Sequence, residues 1–338
     1  MTDRVLAPAG DRSAQRPRRL RPNRGPADLV FRGVARSGGT LVLVIMALVG
    51  VFLAYRAAQA LAKAGPSFIT TQEWNPDSGE FGIAAVIVGT VLIAVVAIVV
   101  AVVLAVGVAL YISEFAPQRL RRWLVGLVDL MAAVPSVVYG LWGAFFLQWE
   151  VLSLSRWISD WFGWIPVFAV NGVDRHDPLA TPTVYTSSTF IAGLVVALMV
   201  APIACSVMRE AFSQAPMGER EGAYALGATR WGMIGAVVLP FGKGAIIGGT
   251  MLGLGRALGE TIAVVMIISP VFVIQPRVLE NGTSSVSSLI ALHYGESSPF
   301  ALSALMAAGL ALFALTLLVN FVAASIVARS RSGAVSEV

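Results

Sequence analysis

The chain has 338 residues, of which 57% are hydrophobic and only 13% charged, with a mean hydropathy of +0.79 and a formal net charge of +5. A soluble protein of this length would carry more charge and shorter apolar segments, so the composition excludes that class and points to a polytopic membrane protein. A single cysteine, Cys205, excludes a disulfide framework and a cysteine metal site.

Residues 1–39 form a polar tail with nine arginines, from Arg4 to Arg36, and with Pro8, Pro17, Pro22 and Pro26. The segment has too little apolar mass to fold alone. A nucleic-acid arm and an organelle transit peptide were weighed, but a disordered cytoplasmic tail that sets orientation and touches anionic lipid is the simpler expectation. No cleavable signal peptide is expected, since the first apolar run starts only near Thr40.

Six apolar runs follow, near 40–62, 82–111, 123–148, 187–208, 244–270 and 300–328, each long enough for the roughly 20 residues of a membrane-spanning helix. The expected fold is therefore an all-α integral membrane protein with a six-helix transmembrane domain over 40–328 and a short cytoplasmic tail at 329–338. The second run carries no charge from Gly82 to Leu110. The third contains a Pro135-Ser136 break, tolerated in a membrane only where neighbours satisfy the freed carbonyl, so this run is expected to face protein.

Basic residues set the orientation. With the N-terminus inside, inner segments collect the tail arginines, then Arg119, Arg121, Arg122, Arg209, Arg220, Arg230, Lys243, Arg329 and Arg331. Outer loops receive only Lys63, Arg156, Arg175 and Arg277, diluted by acids. Both termini and the segment 209–243 are thus expected to be cytoplasmic. In the outer segment between the third and fourth runs, Trp157, Trp161 and Trp164 recur at helical spacing, which fits an interfacial helix better than a sugar-binding platform. His176 and His293, far apart in polar loops, read as surface histidines rather than a metal site. The serines and threonine of 283–288 sit near an outer mouth, but such loops are common and carry no assignment.

The segment 209–243 is too long for a simple connection between helices. Glu221-Gly222-Ala223 is followed by Gly227 and then Val237-Val238-Leu239-Pro240. Two short helices joined at Gly227 are expected, because glycine readily takes the left-handed turn that ends a helix. Small Gly222 and Ala223 permit close approach by a partner, Glu221 offers it a charge, and Pro240 is expected to mark a break before the fifth span. Within that span, Arg256 lies about 18 Å along the axis from Gly244, with Glu260 one turn later on the same face. A charge near the bilayer centre costs at least ~2.5–3.5 kcal/mol, so both should face protein or a water-filled path. Glycine pairs 244/248, 249/253 and 255/259 suit close helix packing.

These residues resemble a known family. The pattern E-A-A-x3-G-x9-I-x-L-P marks the cytoplasmic loop of binding-protein-dependent ABC importer permeases, and the chain matches it with Gly222 and Val237 as the departures. The stretches Ala133-Val134-Pro135-Ser136-Val137-Val138-Tyr139-Gly140 and Gly255-Arg256-Ala257-Leu258-Gly259-Glu260-Thr261 narrow the resemblance to the phosphate-specific permeases of the PstC type, over roughly 80–328. The resemblance implies a type I importer (MetI-like) architecture in a prokaryotic plasma membrane, a homologous second permease of the PstA type, two copies of a cytoplasmic ATPase and an external phosphate-binding protein. It implies ATPase coupling through Glu221, Gly222, Ala223 and Gly227. Arg256 and Glu260 would line the substrate pathway, and Pro135, Ser136, Tyr139 and Pro240 would be structural. No catalytic residue and no cofactor are expected in this chain. Gly242-Lys243-Gly244 lacks the surrounding residues of a phosphate loop, so ATP with magnesium would bind the partner ATPase.

Two other classes explain less. A gradient-driven transporter would show inverted repeats with broken helices and would leave the 221–240 pattern without a purpose. An intramembrane enzyme would need a nucleophile with a base, and the apolar runs contain no histidine. A related importer permease for sulfate, molybdate or phosphonate is the nearest alternative.

Overall fold

The computed structural model describes residues 26–171 and 182–331. The chain divides into two compact units, 1–49 and 50–338. The described part of the first, 26–49, is the opening stretch of helix α1 (Pro26–Ala64), with Leu29, Phe31, Leu41 and Leu43 exposed. The helix thus begins well before residue 39, where the polar tail was expected to end. Proline is accommodated in a first helical turn and Asp28 complements the helix dipole there, so the sequence around Pro26 starts a helix rather than preventing one.

The second unit opens with the end of α1, a single turn α2 (Ser67–Thr70) and a small hairpin, β1 (Trp74–Asn75) with β2 (Glu80–Phe81), closed by Gly79 at φ +92°. Phe68, Trp74, Phe81 and Phe300 pack edge to face beneath it. Helix α3 (Ala84–Leu110) ends in a π-helical turn, Tyr111–Phe115. The third apolar run is two helices rather than one. α4 (Gln118–Ala133) meets the helical stretch Ser136–Glu150, which contains α5 (Ser136–Trp142), a π turn and α6 (Gln148–Glu150), at a bend of 89°. α7 (Leu152–Phe162) follows and leaves Trp157, Trp161 and Trp164 exposed. α8 (Thr189–Ser213) is capped by the Ser188 hydroxyl, which accepts from the Ile191 amide.

After α8 come α9 (Met217–Ala225) and α10 (Arg230–Met233), then a π turn, Ile234–Val238, running straight into α11 (Leu239–Gly259). Two expectations are corrected here. Pro240 does not interrupt the chain: Arg230–Gly259 is one continuous helical stretch. The π turn immediately before Pro240 supplies the local widening that lets a helix absorb a proline without breaking. The break comes instead at Glu260–Thr261, before α12 (Ile262–Ile267), so Glu260 does not continue the face that carries Arg256. α13 (Val286–His293) and α14 (Pro299–Arg331) complete the fold, and α14 reaches into the segment expected to be tail. Among the described residues five helices are long and apolar enough to cross a membrane, or six if the bent pair counts as one span.

The core is built on small residues. Ala94, Ala97, Ala101, Ala105 and Ala109 form one fully buried stripe on α3, at helical spacing; the first three cluster with Ile191, Val195 and Val200 of α8 and the last two with Ala204, Cys205 and Met208. α11 approaches α8 through glycine. A Cβ on Gly253 would stand 2.5 Å from Val200, and one on Gly249 3.1 Å from the Ala204 carbonyl oxygen. By contrast, Gly244, Gly248 and Gly259 have nothing within 4 Å. Of the three expected glycine pairs, 249/253 is used inside this chain, 244/248 is open, and in 255/259 a Cβ on Gly255 would meet only Asn320, at 3.8 Å. Replacing Gly253 with leucine should overpack the α8–α11 contact and destabilise the protein by about 1–3 kcal/mol. The check is a thermal unfolding midpoint below wild type in detergent.

Candidate functional site

The Pro135 motif explains itself locally. Proline offers no N–H to the preceding turn, so α4 ends and α5 starts anew with Ser136 in its first turn. The Met131 carbonyl freed near the break accepts from the Tyr139 hydroxyl at 3.0 Å, while the Val138 amide bonds the Pro135 carbonyl. Gly140 then allows α12 to close in: a Cβ there would lie 2.9 Å from the Ala263 Cα. Gly143 does the same one turn on, beside Val195 and Ile267.

This packing fixes the second break next to the first. At Glu260 the backbone turns extended, and its Oε1 accepts from the Ala263 amide at 3.4 Å, covering one open donor of α12. The Glu260 carbonyl accepts from the Ser287 hydroxyl at 2.8 Å. Ser287 is held in turn by the start of α13, where Ser285 and Ser288 form a reciprocal capping box and the Val286 amide donates to Thr90 on α3. The hydroxyl-rich segment from Thr283 to Ser288 is buried and engaged in holding the break.

Arg256 lies in the last turn of α11 with its side chain exposed. Among the described residues it makes no hydrogen bond and no ion pair, and Glu260 is half-buried and turned to α12. The structure thus gathers Pro135, Ser136, Tyr139, Arg256 and Glu260 around two adjacent helix breaks, and it separates the expected Arg256–Glu260 pair.

The other expected residues stand apart, on the helical hairpin α9–α10. α9 ends in a Schellman turn: Ala228 N–H bonds the Ala223 carbonyl at 3.0 Å, Gly227 N–H bonds the Tyr224 carbonyl at 2.9 Å, and Gly227 has φ +84°. Thr229 caps α10 through the Gly232 amide. Glu221 and Gly222 are exposed, Ala223 is half-buried, and Leu226 stands 92% exposed at the tip. No residue of α9 is fully buried.

What holds this hairpin was not foreseen. Glu114, in the π turn after α3, ion-pairs with Arg220 at 2.8 Å, the two side chains retaining 3% and 14% of their exposure. Arg220 also donates to the Phe212 carbonyl at 2.6 Å and the Ala215 carbonyl at 3.1 Å. Arg230 donates to the Glu114 carbonyl and lies over the Phe115 ring. The available signal was Glu114 itself, the first charge after the long uncharged run of α3. Between α8 and α11, a cleft of about 980 Å³ lined by Glu210, Gln214, Lys243 and Gly248 opens beside the hairpin.

Comparison with known proteins agrees with the sequence resemblance. The family model described as binding-protein-dependent transport system inner membrane component matches residues 101–332. The protein named phosphate transport system permease protein PstC of Pasteurella multocida is 36% identical over 86% of this chain and 89% of its own length. The PstC of Mycobacterium leprae is 37% identical over 88% and 92%. A crystal structure of a bacterial ABC transporter involved in alginate import aligns with a TM-score of 0.51 at 16% identity, covering 91% of this chain and 99% of that one. An inward-facing MetNI methionine ABC transporter aligns with a TM-score of 0.51 at 14% identity, over 73% and 95%. At that identity the two structures speak for the fold alone, the type I importer permease architecture. The chain belongs to the family of binding-protein-dependent transport system inner membrane components, and it is a multi-pass transport subunit.

Loss of the Ser287 hydroxyl removes one hydrogen bond from the break. Ser287→Ala should raise amide exchange in a peptide covering residues 256–268 by about two- to tenfold, the equivalent of 0.5–1.5 kcal/mol. Hydrogen-exchange mass spectrometry of the purified protein reads this directly.

Proposed function

We propose that, within this family, the chain is the PstC-type permease of an ATP-driven inorganic phosphate importer. It forms half of the pathway beside a homologous PstA-type permease. Two copies of a cytoplasmic ATPase, carrying ATP and magnesium, drive the pair, and an external phosphate-binding protein delivers the substrate. Both termini and the α9–α10 hairpin face the cytoplasm, as the basic residues of the inner segments require.

The observation that carries this reading is Arg256, without an ion pair or hydrogen bond among the described residues, beside the Glu260 break. A lipid-facing helix would not hold a bare guanidinium there, because uncompensated charge in the hydrocarbon is expensive. A second subunit and a hydrated anion path relieve that cost together. Phosphate carries one to two negative charges near neutrality, and the forked donors of arginine match its oxygens. Open Gly244, Gly248 and Gly259 on the same helix suit close approach by the helix of another permease. Glu260 is held by the Ala263 amide rather than by Arg256, which leaves the guanidinium available to an anion.

The hairpin supports the ATPase assignment. α9 exposes Glu221 and Gly222, ends rigidly at Gly227, and offers the apolar tip Leu226. Gly227→Val should strain the left-handed turn by roughly 1–2 kcal/mol and weaken ATPase association while the permease still inserts. Co-purification of the ATPase with the variant is the check.

For the pathway, Arg256→Gln should abolish uptake of labelled phosphate by proteoliposomes holding the full complex, with assembly unchanged. The double variant Arg256→Gln/Glu260→Gln should stay inactive. Recovery in the double variant would assign the two residues to a structural charge balance instead. Strong competition by sulfate in the wild type would move the substrate to another oxyanion.

Cysteine labelling tests orientation: position Ser78, in the turn between β1 and β2, should react from outside, and position Gln214 only from inside. The reverse pattern would invert the reading.

A further inference from the structure

We infer that Glu114 and Arg220 form the mechanical joint through which displacement of the α9 hairpin reaches the transmembrane helices. They act as positioning residues, away from substrate and ATP. The inference rests on the reading of α9 as the ATPase contact.

Three observations lead to it. First, α9 buries none of its residues fully, and among its own side chains only Ala223 is packed at the edge of the nearby apolar cluster. Apolar contact alone gives a short, exposed helix little purchase on the bundle. Second, the Arg220 guanidinium engages three separate pieces at once: the Glu114 carboxylate after α3, the Phe212 carbonyl in the last turn of α8, and the Ala215 carbonyl before α9. Arg230, in the first turn of α10, adds a bond to the Glu114 carbonyl. The ends of α3, α8, α9 and α10 therefore meet in one ionic knot. Third, the pair is buried, and the second oxygen of Glu114, Oε1, has no partner among the described residues. Parting Glu114 from Arg220 would leave a buried carboxylate with no compensation, which is far costlier than moving the helices with it.

Force applied to α9 is thus passed on rather than absorbed. α3 and α8 pack along their buried alanine stripe, and α8 meets α11 through Gly249 and Gly253, so their shift carries α11, the helix that bears Arg256 in its last turn. One π-helical turn, Tyr111–Phe115, carries Glu114 itself, and a second, Ile234–Val238, follows α10, so the ends of α3 and α11 bend at the knot as they are moved. Such turns hold an extra backbone residue and are the usual places where a helix yields.

The test uses the full complex in proteoliposomes, reading ATP hydrolysis and solute uptake together in the wild type, Glu114→Gln, Arg220→Gln and the double variant. Each single variant should assemble, with hydrolysis within about twofold of wild type, while solute moved per ATP falls about tenfold. The double variant should be no worse than either single, because the two residues act as one unit. Glu114→Asp, which keeps the charge, should restore part of the ratio. A wild-type ratio in both single variants would overturn the inference, and so would additive losses. Failure of Glu114→Gln to assemble would also overturn it, leaving the pair a role in assembly alone. If the wild-type complex moves a different oxyanion, the substrate reading fails, but the uptake-to-ATP ratio measured with that ion still decides the joint.

Discussion

Arg256 sits on a long apolar helix and finds no countercharge among the described residues, and the rest of this structure is arranged around that constraint. In the proposed reading a second subunit and a hydrated anion path compensate that charge. The surroundings of Arg256 keep it available. The helix ends one turn later, Glu260 is drawn off to the Ala263 amide, and Ser287 secures the Glu260 carbonyl. Had α11 continued unbroken, Glu260 would sit one turn above Arg256 on the same face, and the two would neutralise each other.

Keeping two helix breaks open inside a membrane requires that every freed backbone group find a partner, since lipid offers none. Tyr139 serves the Pro135 break and Ser287 the Glu260 break, and glycines at 140 and 143 bring the two together. Behind them, alanines on α3 and glycines on α11 let α8 pack at short range on both sides. Such interfaces deform little, so the irregular backbone near Arg256 is backed by a stiff layer. The same stiffness suits a subunit that must respond to events at the distant α9 hairpin.

Much of this was legible in the sequence, for identifiable reasons. The spans announced themselves by hydropathy, and Gly227 announced the end of α9 because a left-handed turn leaves few alternatives. The Pro135 break and its need for an internal partner followed from proline chemistry, although Tyr139 as that partner depends on a fold-back over eight residues that periodicity does not reveal. Pro240 misled, because a π turn upstream can absorb a proline and leaves no composition signal. Glu260 misled in the opposite sense: nothing in Gly255-Arg256-Ala257-Leu258-Gly259 forbids a continuing helix, and the break is imposed by α12 and α13 packing against it. The polar tail was expected to run to residue 39, yet Pro26 sits in the first turn of α1. The Glu114–Arg220 knot joins residues more than a hundred positions apart and could not be read from either segment alone.

The central claim is that Arg256 faces an anion path shared with a second permease. The most direct measurement is a cryo-electron microscopy map of the assembled complex in lipid nanodiscs, with phosphate present and ATP hydrolysis blocked. The account predicts that the Arg256 guanidinium lies at the boundary between the two permeases in a hydrated passage, with anion density within hydrogen-bonding distance of it. An Arg256 paired to a carboxylate of the other subunit in a dry interface, or turned to the lipid headgroups, would contradict it.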